Sequence, residues 1–285
     1  MASPLQIGKG NIVMRKLNFG CGDRISPGWT NIDFHSSDSR IQRANLLAGF
    51  PFPNDYFDAV YSSHVIEHFT RKQGLFLIKE ARRVLRPGGV IRIVVPDLEE
   101  SCKEYLRILN MSDSDSAKRP MYDWIIVELL DQLVRSVPSG DMGPMMNQAN
   151  SRGNDQLMAY IRSRKENKLD SFPLSRSSSS LAGIKRLTPE KISTKLNYWY
   201  LKFIRMLIPA HLRSLVLIET RIGERHRWMY DRYGMKILFE DAGFFDCRMV
   251  RFDESSILHF NEDCLDVNPD GTSYKNISIY FEAIK

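Results

Sequence analysis

Gly20, Cys21 and Gly22 close a short apolar run, Lys16-Leu-Asn-Phe19, and Asn31-Ile32-Asp33 follows soon after as a second short run ending on a carboxylate. Glycines at 20 and 22 let a ligand approach the backbone where a side chain would clash. A carboxylate at the end of the neighbouring strand can accept hydrogen bonds from both hydroxyls of a ribose. This spacing permits a nucleoside pocket. A dinucleotide pocket fits less well, because Ile25 stands where the third glycine of Gly-x-Gly-x-x-Gly belongs and Asp33 comes too early.

The groups that could move a proton lie further along. His64-Val-Ile-Glu67-His68 follows the segment Asp58 to Ser63, and His226 sits between Arg225 and Arg227. Imidazole titrates near neutrality and suits removal of a proton from a hydroxyl. Paired guanidinium groups suit an acceptor carrying a carboxylate or phosphate. Asp97 could orient one of these histidines, bind acceptor hydroxyls, or cap the next helix. The string His-x-x-Glu-His is also an inverted zinc-protease signature. That motif needs both histidines on one face of a long helix, whereas His64 directly follows a strand, so no metal is expected.

The elements that must position these groups are legible in order. Asp58-Ala-Val-Tyr-Ser-Ser63 reads as a strand opened by the turn Pro53-Asn54-Asp55. Thr70-Arg-Lys-Gln73 has the form of a capping box, and apolar residues from Leu75 to Leu85 recur at helical spacing up to Pro87-Gly88-Gly89. Val90 to Val95 is the β-branched run of a buried parallel strand. Strand, turn, strand, strand, helix, strand is an α/β pattern.

Taken together, Leu17-Asn-Phe-Gly-Cys-Gly22, Pro51 to Asp58, Ser63-His-Val-Ile-Glu-His68 and Ala81 to Gly89 resemble class I S-adenosylmethionine-dependent methyltransferases. The nearest likeness is to the small-methyltransferase group associated with polysaccharide and glycan biosynthesis. The resemblance covers residues 14–98 strongly, 224–285 moderately and the middle hardly at all. It implies a Rossmann-like seven-stranded sheet with its last strand inserted antiparallel, and a large helical insertion between the fifth and sixth strands. It implies S-adenosyl-L-methionine as cofactor, held by Gly20, Cys21, Gly22, Asp33, Asn45, Leu46 and Ser63. Asn45 stands where many relatives carry an aspartate near the adenine amine, and Leu46 would lend its backbone N–H to the ring. His64, His226 and Asp97 are the catalytic candidates. The favoured acceptor is a hydroxyl of a sugar or glycan intermediate. The alternatives are RNA, another small molecule, or a non-catalytic nucleoside-binding member of the fold. Only ten residues separate Gly22 from Asp33, so the first crossover helix of such folds must shrink to a turn.

Three parts follow: residues 1–97 as the cofactor-binding half, 98–223 as a partly mobile helical substrate cap, and 224–285 as the end of the core. Residues 1–13 read as a poorly ordered lead-in. Within the cap, Glu99 to Leu109 and Trp124 to Val137 read as amphipathic helices, Pro138 to Gly153 as a loop, and Ser175 to Ser180 as a mobile tract. Asp231 should cap a helix through Asp241, with Cys247 to Phe252 and Asn276 to Ile284 as the last strands and Asn268-Pro-Asp-Gly271 as a turn between them.

Across residues 152–213 there are 13 Lys and Arg against 4 Asp and Glu, and the segment 197–213 interleaves aromatics with cations. It reads as a helix packed on the core, with contact to anionic lipid or an anionic acceptor as rivals. DNA is not an expected partner, and no oligomeric state is legible. Hydrophobic content of 43%, charged content of 26% and a net charge of +6 describe an ordinary globular chain. Four scattered cysteines without a Cys-x-x-Cys pair, and no basic-then-apolar leader, point to a reducing, cytoplasmic setting.

Overall fold

The computed structural model describes residues 14–36, 38–164, 199–200, 202–204, 206–209 and 223–285. The lead-in 1–13, the serine tract 175–180, most of the basic segment 152–213 and part of the segment 197–213 therefore lie outside the described residues.

Seven strands form one sheet: β1 (Lys16–Phe19), β2 (Thr30–Asp33), β3 (Ile41–Arg43), β4 (Phe57–Ser63), β5 (Leu85–Pro96), β6 (Phe245–Val250) and β7 (Ser278–Ile284). Their order is β3-β2-β1-β4-β5-β7-β6. Every pair up to β4–β5 is parallel, and β7 runs antiparallel between β5 and β6. This is a Rossmann-like seven-stranded sheet with its last strand inserted antiparallel, as the resemblance implies. Strand β3 is too short to stand out in the sequence.

The central strands are buried on both faces, which explains the β-branched run of β5. Val60, Ile91, Ile93 and Val95 point to one core, which takes Leu77, Ile78 and Ala81 from helix α1 (Arg71–Val84) and Met235, Leu238 and Phe239 from helix α6 (Arg232–Asp241). Ala59, Tyr61 and Val94 point to the other, closed by Trp29, Ile257, Phe260 and Leu265. In this second layer Arg92 is fully buried. Its guanidinium donates to Asp266 at 2.6 Å, to Glu282 at 2.8 Å and to the carbonyl oxygens of Arg251, Phe252 and Glu254.

No helix crosses from β1 to β2. A buried asparagine pair holds the short connection instead: the Asn18 amide donates to the Arg24 carbonyl and to Asn31 Oδ1, and the Asn31 amide donates to the Ser26 and Trp29 carbonyls. Side-chain amides supply the hydrogen bonds that a crossover helix would make for itself.

The capping box forms as expected, with Thr70 and Gln73 serving each other's backbone N–H groups. Asp231 caps α6 by accepting from Gly234 N at 2.7 Å. Between β5 and α6 lie α2 (Leu98–Leu109), α3 (Lys118–Val134), α4 (Met142–Ser151) and α5 (Asp155–Arg164), whose Trp124, Met142, Met146, Leu157, Met158 and Ile161 form their own core. Two expectations need correction. Pro138 to Gly153 is not a loop throughout: Met142, Met146 and Ala149 fall on one buried helical face, and Pro144 lies in the first turn, where its missing N–H costs nothing. Strand β5 starts at Leu85 rather than after Gly89, because Leu85 already pairs with Phe57.

Candidate functional site

The carboxyl ends of β1, β2 and β4 open onto two cavities that meet at Gly20, Gly22 and His64. The larger, about 700 Å³, is lined also by Asp33, Phe34, Leu46, Leu47, His68, Phe69, Gln73, Arg225 and Arg227. The smaller, about 380 Å³, is lined also by Cys21, Arg24, Tyr61, Ser63, Tyr274 and Lys275.

Gly20 and Gly22 both lie in the left-handed region, φ +64° and +51°, which glycine enters without steric cost. Backbone N–H groups of Gly20 and Cys21 both donate to the Ile32 carbonyl, at 2.8 and 3.3 Å, and tie the turn to β2. A Cβ at Gly20 would come within 2.5 Å of Val65, whereas one at Gly22 would meet nothing. Close packing therefore demands glycine at 20 and only backbone geometry does so at 22.

Asp33 closes β2 with each carboxylate oxygen engaged by one backbone N–H: Gly22 on Oδ2 at 2.9 Å and His35 on Oδ1 at 3.0 Å. A carboxylate oxygen has a second lone pair, so both can still accept from a hydroxyl. Cys21 is buried, and burial first, then the nearby Asp33 charge, pushes its thiol up to about 12. It is a wall group rather than a nucleophile. Asn45 is exposed and spends Oδ1 on capping the turn Leu46–Ala48, accepting from Leu47 N at 3.1 Å. Of that turn, Leu46 and Leu47 reach the larger cavity.

His64 follows β4 with φ +53°, an uncommon conformation for a residue with a side chain. Its own N–H donates to the Val94 carbonyl at 2.9 Å and holds the ring over the sheet edge. Nε2 lies 3.0 Å from Ser278 Oγ and Nδ1 3.7 Å from Glu67 Oε1. Burial, then Lys275, His226 and His68, hold its pKa well below the usual imidazole value, so the ring is neutral at pH 7.

The other two catalytic candidates sit elsewhere. Asp97 caps α2 by accepting from Glu100 N at 3.1 Å and lines neither cavity. His226 is 5% exposed and lies behind His68, ring centroids 5.0 Å apart. Burial, His68 and Arg135 push it down to about 3. Trp228 is part-exposed and covered by the Arg71 guanidinium rather than plugged into the core.

Several lining residues carry no sequence signal. Lys275, brought down to about 8 by burial, and Tyr274 come from the loop before β7. Only the folded sheet sets that loop against the Gly-x-Gly turn. Arg24, whose guanidinium lies 3.9 Å from the Tyr274 ring centre, closes the same wall.

Residues 28–93 match the family model described as a methyltransferase domain. That segment runs from the β1–β2 connection into β5, with the Gly-x-Gly turn just before it. No curated protein matches the chain. Among solved structures, a methyltransferase of Thermotoga maritima described as a possible histamine N-methyltransferase is 10% identical, over 95% of this chain and 82% of that one, with a TM-score of 0.37. An S-adenosylmethionine-dependent methyltransferase of Archaeoglobus fulgidus is also 10% identical, over 95% and 86%, at 0.36. The [4+2]-cyclase SpnF is 21% identical over 28% of this chain and only 38% of its own length, at 0.24.

Proposed function

We propose that the methyltransferase domain at residues 28–93, completed by the Gly-x-Gly turn, transfers the methyl group of S-adenosyl-L-methionine to a hydroxyl of a sugar or glycan intermediate. The observation that carries the reading is the position of His64, at the junction of the two cavities beside the turn and the Asp33 carboxylate.

The donor set suits the cofactor. Asp33 offers both oxygens to a ribose diol, Leu46 and Leu47 offer an apolar edge to a base, and a volume of about 700 Å³ is the size of an ordinary small-molecule site. When bound, S-adenosyl-L-methionine supplies an electrophilic methyl carbon, so the protein's task is placement and proton removal. The acceptor oxygen must be held about 3 Å from that carbon, in line with the bond that breaks. His64 is neutral and can take the hydroxyl proton on Nδ1 or Nε2, with Glu67 behind the first and Ser278 behind the second. Arg225 is fixed by donating from Nε to the Leu133 carbonyl at 2.9 Å, and with Arg227 it gives the larger cavity a cationic rim for an anionic acceptor.

The test is turnover of S-adenosyl-L-methionine to S-adenosylhomocysteine with a panel of sugars and glycan intermediates. His64→Ala and His64→Gln should each lower kcat by a factor of about 10² to 10⁴. Both should leave S-adenosylhomocysteine binding within about threefold, since neither removes a group that the cofactor reading uses. Unchanged kcat in both variants would remove His64 as base. Turnover with RNA and none with any glycan acceptor would overturn the substrate class.

A further inference from the structure

Behind the His64 wall, three potential ligand atoms from two distant segments converge. Glu67, His68 and His226 each offer one atom, and all three lie within 4.8 Å of one another. Glu67 and His68 sit in the short 3-10 turn Ile66–His68. His226 arrives from far along the chain, and backbone hydrogen bonds fix its place: Arg227 N and Trp228 N both donate to the Glu67 carbonyl, at 2.7 and 3.1 Å, and His226 N donates to the Gln132 carbonyl. The convergence is thus built into the backbone rather than left to side-chain rotation.

We propose that Glu67, His68 and His226 form a binding site for a divalent metal ion of the borderline transition type, zinc(II) or its neighbours, in the wall of the larger cavity. Three features support it. The Glu67 side chain is 1% exposed, yet neither of its carboxylate oxygens has a hydrogen-bonding partner among the other described residues. A buried carboxylate left without partners is costly, and a cation is one of the few groups that would compensate it. His68 Nδ1 lies 3.0 Å from the Arg225 carbonyl, so that nitrogen carries the proton and Nε2, 3.9 Å from Glu67 Oε1, presents a lone pair. A ring N–H donated to a backbone carbonyl is the usual way a protein orients a metal-ligating histidine. Finally, two imidazoles and one carboxylate are the donor set of open, three-ligand metal sites that leave a position for a further group.

The geometry needs little change to close on an ion. Ligand atoms around a tetrahedral ion with bonds of about 2.1 Å lie about 3.4 Å apart, so a pair at the 4.8 Å limit contracts by about 1.4 Å, a shift within reach of side-chain rotation. The side chain of His68 is 17% exposed and lines the larger cavity, which gives the ion a way in. His64 Nδ1, 3.7 Å from Glu67 Oε1, stands next to the triad on the cavity side. Metal binding does not depend on the acceptor proposed above.

The full chain, freed of any histidine tag and stripped with a chelator, would be titrated with cobalt(II), read by its visible absorption, and with zinc(II), read by calorimetry. One ion per chain is expected, with a rise in Tm on zinc(II) addition. Glu67→Gln and His226→Ala should each weaken binding by more than about tenfold and abolish most of that rise. His259→Ala should change nothing, since that exposed histidine lies outside the triad and pairs with Glu262 at 2.8 Å. Circular dichroism checks the fold, and His68→Ala, at a less buried position, serves as a third ligand variant should either of the others unfold. Binding of less than one ion per chain by the native protein, or binding unaltered in folded ligand variants, would overturn the proposal.

Discussion

Replacing Asp33 by alanine tests the nucleoside half of the site most directly. The carboxylate accepts from Gly22 N at 2.9 Å and His35 N at 3.0 Å and keeps one lone pair per oxygen for a ribose hydroxyl. A hydrogen bond to a charged group contributes roughly 1.5 to 3 kcal/mol, and the lower figure applies here because Asp33 is only half-buried. Two such bonds lost on truncation come to about 3 kcal/mol, or roughly a hundredfold in Kd. Folding should suffer by less than about 1 kcal/mol, because both freed N–H groups lie at an exposed turn where water can replace the carboxylate. Calorimetry with S-adenosylhomocysteine on the native chain and Asp33→Ala measures the first quantity, and urea denaturation the second. Asp33→Asn should fall between the two, since one oxygen survives without the charge. A folded Asp33→Ala variant whose Kd rises by less than about threefold would show that the diol is not held at this carboxylate, and the site would have to be rebuilt on other residues.

Three further outcomes follow from the same geometry. Gly20→Ala should destabilise the chain by about 2 to 4 kcal/mol, through its positive φ and the 2.5 Å approach to Val65, while Gly22→Ala should cost about 1 kcal/mol for backbone strain alone; urea midpoints that rank the two the other way would contradict the packing. Arg92→Met should cost about 3 to 5 kcal/mol by leaving Asp266 and Glu282 buried without their cation, and a Tm shift no larger than that of a surface substitution would show the network to be dispensable. Cys21, with its pKa at about 12, lies above the ordinary thiol value, so the thiolate is scarce below that pH: at pH 8 iodoacetamide should modify the exposed Cys102 and Cys264 while mass spectrometry finds Cys21 unmodified until the pH approaches 12 or the chain unfolds.

Local chemistry was enough to read much of this protein from its residues. Gly20, Gly22 and Asp33 stand out in the sequence because each acts through a property of its own residue type, φ freedom or a carboxylate at a strand end. The Thr70–Gln73 box and the β-branched run of β5 announce their elements because capping and burial leave short-range signatures. Where local signals conflicted, reading the residues failed. Pro144 and the glycines around it suggested a loop, yet the apolar spacing of Met142, Met146 and Ala149 prevailed once α3 and α5 offered a face to bury it.

Only the tertiary structure decided which charged and polar groups face one another. Asp97 became a helix cap, and His226 came to lie behind His68 rather than in the cavity. Lys275 and Tyr274 reached the site because β7 enters the sheet antiparallel beside β5 and delivers its preceding loop to the strand ends. The Glu67–His68–His226 cluster joins segments about 158 residues apart through backbone hydrogen bonds to one carbonyl. The sequence by itself determined the α/β order of the main strands, the glycine turn and the carboxylate that follows it at Asp33, because those rest on residue type and short spacing. The structure alone determined the second half of the site, because long-range convergence depends on which strand ends meet, and no local pattern records that.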